Sequence, residues 1–387
     1  MEPGGSLRIN LLNEAARYGG QTREITRFIM TVGESLRGGG SKSRVEGGDF
    51  WDAQQERQIH HAVSAVRLAT GRVTAPELQQ FIMTAAMSPE KLRDPTWKAE
   101  FHAQCMETAF AKVKSVVDAH DFQLDCDYWL QELPNMADKM RSAIMTGVLG
   151  ILHVFNSGII RETISTRTDV HIKDLIENRK WLYINAPPSS YGGTGSFLNA
   201  GVKVLTEMVI LQREVKPGDP IHVMWCDEAH QFVNSFDSLY LAQCRSHFGC
   251  MVFISQSLPS YYTAFKGEDG KQQSHSLLAN FGHHILHVLG DIESAEWASG
   301  MIGKRLETFF GGSLEPAQDI FDELFGQRQF TGNFSTQYVP ALHTNAFMHG
   351  LRTGGKRNGY LADAIVIKPG EPFANGQNWM KAAFSQR

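Results

Sequence analysis

Asp227 and Glu228 are adjacent acids at the end of an apolar run, Ile221-His222-Val223-Met224-Trp225-Cys226, and that placement can do chemistry. In an open α/β sheet ligands bind at the carboxyl edge of the strands. Hydrolysis of a nucleotide by a phosphate-loop enzyme asks for two carboxylates there, one to hold the magnesium shell and one to orient or deprotonate the attacking water. Asp227 suits the first task and Glu228 the second. The same pair also suits plain capping of the next helix, where acids meet the positive end of the backbone dipole, and these residues alone leave both readings open.

Two further side chains extend the pattern. Arg245 follows a helical stretch over 236–243 and precedes Phe248-Gly249 and the strand-like run Met251-Val252-Phe253-Ile254. A surface Arg is ordinarily a solvated charge, but in ring-shaped motors an Arg so placed can point across the subunit boundary and neutralise transition-state charge on the neighbour's nucleotide. Ser255-Gln256-Ser257 closes that run, where the Gln256 amide can donate to a γ-phosphate and accept from water, or simply bond backbone at the strand end. The pairs His60-His61 and His283-His284 have neither i,i+4 spacing nor a third ligand, which argues against a metal site built on them. Gly192-Gly193-Thr194-Gly195-Ser196 precedes a helix and could bind an anion, but it lacks a Lys and reads as a loop.

The elements that must carry these groups are legible as alternating strand-like and helical stretches, the texture of α/β units. Candidate strands run over 181–185, 221–226, 251–254 and 284–289, each a near-continuous apolar run as expected of strands covered on both faces, and a last one lies at 364–367. Between the first two, Leu198, Val202, Leu205, Val209 and Ile210 fit a crossover helix. Upstream, 50–158 has helical periodicity, with helix starts at Thr74, three residues before Glu77, and at Ser88, followed by Pro89. A shorter helix is expected over 21–36 from Ile25, Phe28, Ile29 and Val32, ending in a Gly/Ser loop over 38–48. The apolar stretch 143–160 is borderline for a membrane span and carries His153 and Asn156, so a buried helix fits it better.

The 387 residues allow two or three domains, and 42% apolar residues suit ordinary cores. Lys plus Arg at 37 against Asp plus Glu at 41 leaves a net charge of -4, which excludes a global basic field for nucleic acid and leaves only local patches. Five cysteines without a C-x-x-C pair speak against a disulfide framework or zinc site. The N-terminus has no charged-then-apolar pattern of a secretory signal.

The order strand, Asp227-Glu228, helix, Arg245, glycine, strand, Gln256 resembles the motor domain of type IV secretion coupling proteins, the TraG/TraD-like conjugative DNA-transfer ATPases. Leu277-Leu278-Ala279-Asn280-Phe281, a strand, and Gly290-Asp291-Ile292-Glu293 continue the likeness, and Ala362-Asp363-Ala364-Ile365-Val366 with Pro369-Gly370 resembles the family's C-terminal close. The resemblance implies an α/β fold: the C-terminal half of a RecA-like P-loop NTPase with a mainly parallel sheet, and an inserted all-α domain. The implied division is 1–49 as a trailing motor segment and linker, 50–165 as the all-α domain and 166–387 as the nucleotide-hydrolysing half. It further implies ATP and Mg2+ as cofactors, with Asp227 and Glu228 as Walker B acids, Asp227 on the metal, Arg245 as the inter-subunit finger and Gln256 as the sensor. The implied setting is a hexamer at the cytoplasmic face of a bacterial inner membrane, moving DNA or a relaxase–DNA substrate into a type IV secretion channel.

One family feature is missing. No G-x-x-x-x-G-K-[ST] occurs in the chain, so nothing supplies the nest of backbone N–H groups and the Lys that hold β- and γ-phosphates. The stretch 37–43 has the wrong spacing, and Gly303-Lys304-Arg305 lacks the glycine cradle and the hydroxyl. In the family the phosphate loop and the membrane helices precede the point where this sequence begins, so a fragment, a misplaced start or one half of a split gene is expected. Two other functions fit the same residues: a non-hydrolysing module that binds relaxosome or channel proteins, and a related ATPase that drives protein secretion. Missing first strands would also leave a strand edge exposed and the isolated chain poorly soluble.

Overall fold

A computed structural model of the protein describes residues 1–19, 22–36, 48–265, 269–314 and 330–387. The rejected stretch 37–43 therefore lies outside the described residues, as does the Gly/Ser loop expected at 38–48 apart from Gly48, which opens a helix. The chain forms two compact units, Met1–Ser255 with Tyr261–Asn280, and Gln256–Ser260 with Phe281–Arg387.

The first unit is mostly helical. Its helices are α1 (Leu11–Gly19), α2 (Thr22–Leu36), α3 (Gly48–Thr70), α4 (Ala75–Met83), α5 (Pro89–Arg93), α6 (Phe101–Lys112), α7 (Val116–Cys126), α8 (Leu133–Asn135), α9 (Asp138–Phe155), α10 (Gly158–Ile164), α11 (Ile172–Glu177), α12 (Pro188–Leu211) and α13 (Ser235–Gln243). The expected starts hold: the Thr74 hydroxyl accepts from the Glu77 N–H and donates to the Glu77 carboxylate at 2.6 Å, and Ser88 accepts from the Lys91 N–H. Around Trp129, Tyr128 and Phe81, all buried, α3 gathers α4, α6, α7 and α9. Within that core His61 meets Asp125 at 2.8 Å and stacks on Tyr128. The apolar stretch 143–160 is divided between α9 and α10, bent by 72°, and no single helix among the described residues is long and apolar enough to cross a membrane. Ile144, Val148, Ile151, Leu152 and Phe155 of α9 are buried, as expected of a core helix.

Beyond the helices the unit has two strands, β1 (His222–Cys226) and β2 (Gly249–Phe253), paired in parallel with Met224 opposite Met251. The crossover helix is present as α12, whose face from Phe197 to Ile210 is almost wholly buried. The glycine-rich 192–196 is not a free loop: it lies inside α12, where Gly192 takes φ 54° and kinks the helix. The unit is completed by α15 (Gly270–Leu278), which follows α14 (Leu258–Phe265).

In the second unit β3 (His284–Leu286) is followed by α16 (Ile292–Ile302), β4 (Lys304–Leu314), β5 (Phe330–Pro340), α17 (Thr344–Met348), β6 (Leu361–Ile367) and β7 (Trp379–Ser385). The sheet order is β3-β6-β7, all antiparallel, while β4 and β5 form a separate antiparallel ribbon. Ala295, Ala298, Ile302, Phe347, Ile365 and Ile367 make its core. Asp363, buried on β6, is gripped by Arg352 at 2.7 Å and Lys381 at 3.2 Å, and the hydrogen bonds from Arg352 hold its carboxyl far below the usual range.

Two expectations are corrected. Among the described residues the sheets are small and only β1–β2 is parallel, so the mainly parallel sheet is not observed. A continuous apolar run reports that both faces of a strand are wanted inside; it does not report the direction of its partner. The run 181–185 is extended but forms no strand, with Trp181 97% exposed and Tyr183 77% exposed, because no neighbouring strand pairs with it; the Met1 ammonium on the Tyr183 carbonyl and the Asn185 N–H on the Met1 carbonyl tie it instead.

Candidate nucleotide-hydrolysis site

The acid pair sits where β1 stops. The Ile254 N–H bonds the Cys226 carbonyl at 2.9 Å and the Ala229 N–H bonds the Ile254 carbonyl at 3.0 Å, so the chain on either side of the acids is clasped to the end of β2. Between those clasps Glu228 takes φ 50°, ψ 41°, a left-handed conformation that disfavours any residue with a Cβ. Such a departure costs on the order of 1 kcal/mol and persists where the surroundings over-determine it, commonly at functional turns. The Asp227 side chain is exposed and accepts from the Glu228 N–H at 3.0 Å. The Glu228 carboxylate lies 3.5 Å from His230 Nδ1, which is also 2.9 Å from the Ser255 hydroxyl. Burial lowers the His230 pKa, against the opposing pull of Glu228.

Behind β1 lies a group of charges that the sequence reading missed. Lys203 and Glu207, one turn apart on α12, and Asp237 on α13 are all buried. The Lys203 ammonium donates to Asp237 and lies 5.8 Å and 5.6 Å from the Phe232 and Phe253 ring centres. Asp237 is also the third residue of a capping box, accepting from the Asn234 N–H at 2.8 Å while Asn234 accepts from the Phe236 N–H. Burial works against the charge of Lys203, but the Asp237 carboxylate, foremost of its neighbours, outweighs it and holds the ammonium above its ordinary range. No donor reaches either Glu207 oxygen, and its neighbour is the Asp237 carboxylate. Burial first and that neighbour second push Glu207 well above the carboxylate range, so it keeps its proton and can give it to Asp237 as a hydrogen bond. The same burial takes the thiol of Cys226, the last residue of β1, up to about 12. This group ties α12 to α13 and sets the Lys203 ammonium over Phe253, the last residue of β2. The available signal was a Lys and a Glu at i,i+4 inside the apolar run Val202 to Ile210.

Arg245 is exposed on the turn Cys244–His247, just before β2 begins. It stands beyond the opposite end of the strand pair from Asp227 and Glu228, a strand length of five residues, ~17 Å, away. Within one chain the structure therefore brings Asp227 and Glu228 together and does not bring Arg245 to them. Gln256 is exposed and belongs to the second unit.

As a magnesium site the acids fit in part. Mg2+ keeps several waters and takes one or two carboxylates plus substrate phosphates, and an exposed Asp227 with one oxygen on a backbone N–H suits that. No group of three or more His, Cys, Asp or Glu side chains able to hold a metal occurs among the described residues. The phosphate half of such a site has no counterpart in this sequence.

The face of β1–β2 opposite α12 is uncovered. Met224, Cys226 and Met251 are buried, while Val223 and Trp225 are 51% and 69% exposed. Parallel strands are normally covered on both faces, so this one offers apolar surface to another element.

No protein-family model and no curated protein sequence matches the chain. Solved structures do. The bacterial conjugative coupling protein TrwBdeltaN70, in its unbound monoclinic form, matches with a TM-score of 0.58 at 12% identity over 94% of this chain and 68% of its own. The plasmid coupling protein TrwB in complex with the non-hydrolysable GTP analogue GDPNP matches with a TM-score of 0.57 at 12% identity and the same coverage. TrwB with the ATP analogue ADPNP gives 0.56 at 13% identity over 93% of this chain and 68% of that one. At this identity the likeness is one of fold: the chain has the mixed α/β architecture of these coupling-protein structures, including a large helical part, as its sequence led us to expect.

Proposed function

We propose that this chain is the acid-bearing part of an ATP-driven coupling motor that feeds DNA or a relaxase–DNA substrate to a type IV secretion channel. The observation that carries the reading is the strained Asp227-Glu228 turn, clasped between the ends of two parallel strands, in a chain whose fold matches TrwB over 94% of its length. Bound Mg2+-ATP supplies the phosphoanhydride to be cleaved and the metal that neutralises its charge. Asp227 holds the metal's water shell, and Glu228, its backbone fixed in the left-handed region, orients and deprotonates the attacking water. Arg245 serves the neighbouring subunit of a hexamer, in keeping with its distance from its own acids, and Gln256 acts as the sensor. The phosphate loop is contributed by a segment outside this sequence that covers the exposed Val223 and Trp225 face. Contacts to DNA in such a ring are to the backbone and indifferent to base sequence, which suits a chain of net charge -4 with only local basic patches. The holoprotein works at the cytoplasmic face of the inner membrane, held by an anchor also outside this sequence.

A second reading, a non-hydrolysing module that binds relaxosome or channel proteins, is favoured by one observation, the lack of G-x-x-x-x-G-K-[ST]. Sequencing about 600 bases upstream of the Met1 codon separates the two, enough for the ~200 residues that a strand, phosphate loop and membrane hairpin occupy. An in-frame phosphate loop with apolar spans is the expected result. A stop codon there, with no partner half encoded nearby, transfers the case to the second reading.

A further inference from the structure

The β4–β5 ribbon has no role in the site above, yet it is the longest strand pair among the described residues, eleven residues a side. In an antiparallel pair, residues directly opposite share a face and alternate positions switch faces. One face of the ribbon therefore carries the pairs Lys304·Pro340, Leu306·Tyr338, Thr308·Thr336, Phe310·Phe334, Gly312·Gly332 and Leu314·Phe330. Four of its large side chains point to solvent: Leu306 is 60% exposed, Phe310 85%, Phe334 75% and Tyr338 73%. Three aromatic side chains offer roughly 150–250 Å2 each, so the four residues place on the order of 500 Å2 of apolar surface on one strip. That is about the size of the largest apolar patch on a typical monomer, commonly a functional one, and it is over half of the ~800 Å2 each partner gives to a standard interface.

The order of the pairs says what fits the strip. Over the five pairs from Lys304·Pro340 to Gly312·Gly332 it is symmetric about Thr308·Thr336, whose hydroxyls lie 3.4 Å apart, and Leu314·Phe330 lies beyond that stretch. A large apolar pair stands on either side of the threonines, and beyond these a pair with one long side chain, Lys304, balances a pair with none, Gly312·Gly332. Turn a second copy face to face about a two-fold axis across the threonines, and Leu306 meets the other Phe310 while Tyr338 meets the other Phe334. Lys304 then lies over bare glycine backbone, and threonine faces threonine. Such self-complementarity is the mark of an isologous contact. Nucleic acid is the poorer occupant, since a single-strand platform needs a charged groove beside its aromatic rings and this face carries one Lys.

We propose that this face of the β4–β5 ribbon is a two-fold contact between copies of the chain, separate from any head-to-tail ring. The contact is tested by sedimentation equilibrium of the full chain against the variant carrying Phe310→Asp and Phe334→Asp, with circular dichroism to verify folding. Both residues are exposed, so the variant keeps its fold. Wild-type dimers whose dissociation constant rises roughly tenfold or more in the variant are expected, because truncating a central aromatic pair removes most of an interface's affinity. A wild type that stays monomeric at about 100 µM, or dimers indifferent to the two substitutions, overturns the contact. So does an oligonucleotide that binds the wild type and is lost with the same substitutions while the chain stays monomeric.

Discussion

Replacing Lys203 with Met and, separately, Glu207 with Gln perturbs two charged residues one turn apart on α12 and should give opposite results. Lys203 is the donor that offsets the buried charge of Asp237. Lys203→Met leaves that carboxylate without a counter-charge, and breaking one side of a buried pair costs about 3–5 kcal/mol. Glu207 already holds its proton, so its uncharged isostere removes no charge; the expected cost is below about 1 kcal/mol, the scale of one hydrogen bond. The pH dependence has a definite sign. A carboxyl whose folded pKa is raised contributes stability that is present below its unfolded value, 4.5, and is lost as pH rises from there. Glu207→Gln is free of that loss, so it gains on the wild type as pH rises above 4.5. Amide hydrogen exchange of peptides from α12 and β1 reads local opening free energy without requiring the whole chain to unfold in one step. Equal costs for the two substitutions, or a Glu207→Gln that falls behind as pH rises, would refute the charge assignment.

Three more outcomes follow from other places in the structure. Glu228→Gly releases the left-handed backbone and should stabilise the first unit by about 1 kcal/mol in chemical denaturation, although it removes the carboxylate proposed as the base; a loss of stability would show that the turn is not strained. Burial holds His102 near 4 against an ordinary 6.5, with its Nδ1–H on the Phe81 carbonyl, so the unfolded chain takes up that proton first as pH falls. The wild type should lose on the order of 3 kcal/mol at this residue between pH 6.5 and 4, and His102→Phe, which keeps a ring stacked on Phe81, should lack that part of the slope in urea titrations at each pH. Trp225→Lys should change the stability of this chain by less than about 0.5 kcal/mol and raise its solubility, whereas in a polypeptide whose phosphate-loop segment covers that face it should destabilise; equal effects in both, read as melting temperature, would mean that nothing covers the face.

The sequence was most informative where chemistry and periodicity coincide. The caps at Thr74 and Ser88, the core helix through Ile144 to Phe155 and the strand ending at Cys226 are local patterns, and each forms where its pattern lies. What escaped depends on partners distant in the chain. Lys203 and Glu207 look like misplaced polar residues until α13 brings Asp237 to them. The run 181–185 has strand composition, yet a strand exists only as half of a pair. The β4–β5 ribbon was illegible for a related reason: with both faces open to solvent and glycines along its length, it shows no alternation directed at a core.

Turnover of Mg2+-ATP in the presence of DNA, by the polypeptide together with the proposed segment that would supply a phosphate loop, is the direct test of the central claim, with wild type compared to Glu228→Gln. A general base contributes typically 10²–10⁴-fold, so the variant should bind nucleotide as the wild type does and hydrolyse it at least ~100-fold more slowly. Equal turnover in the two would contradict the assignment of hydrolysis to the turn at the end of β1.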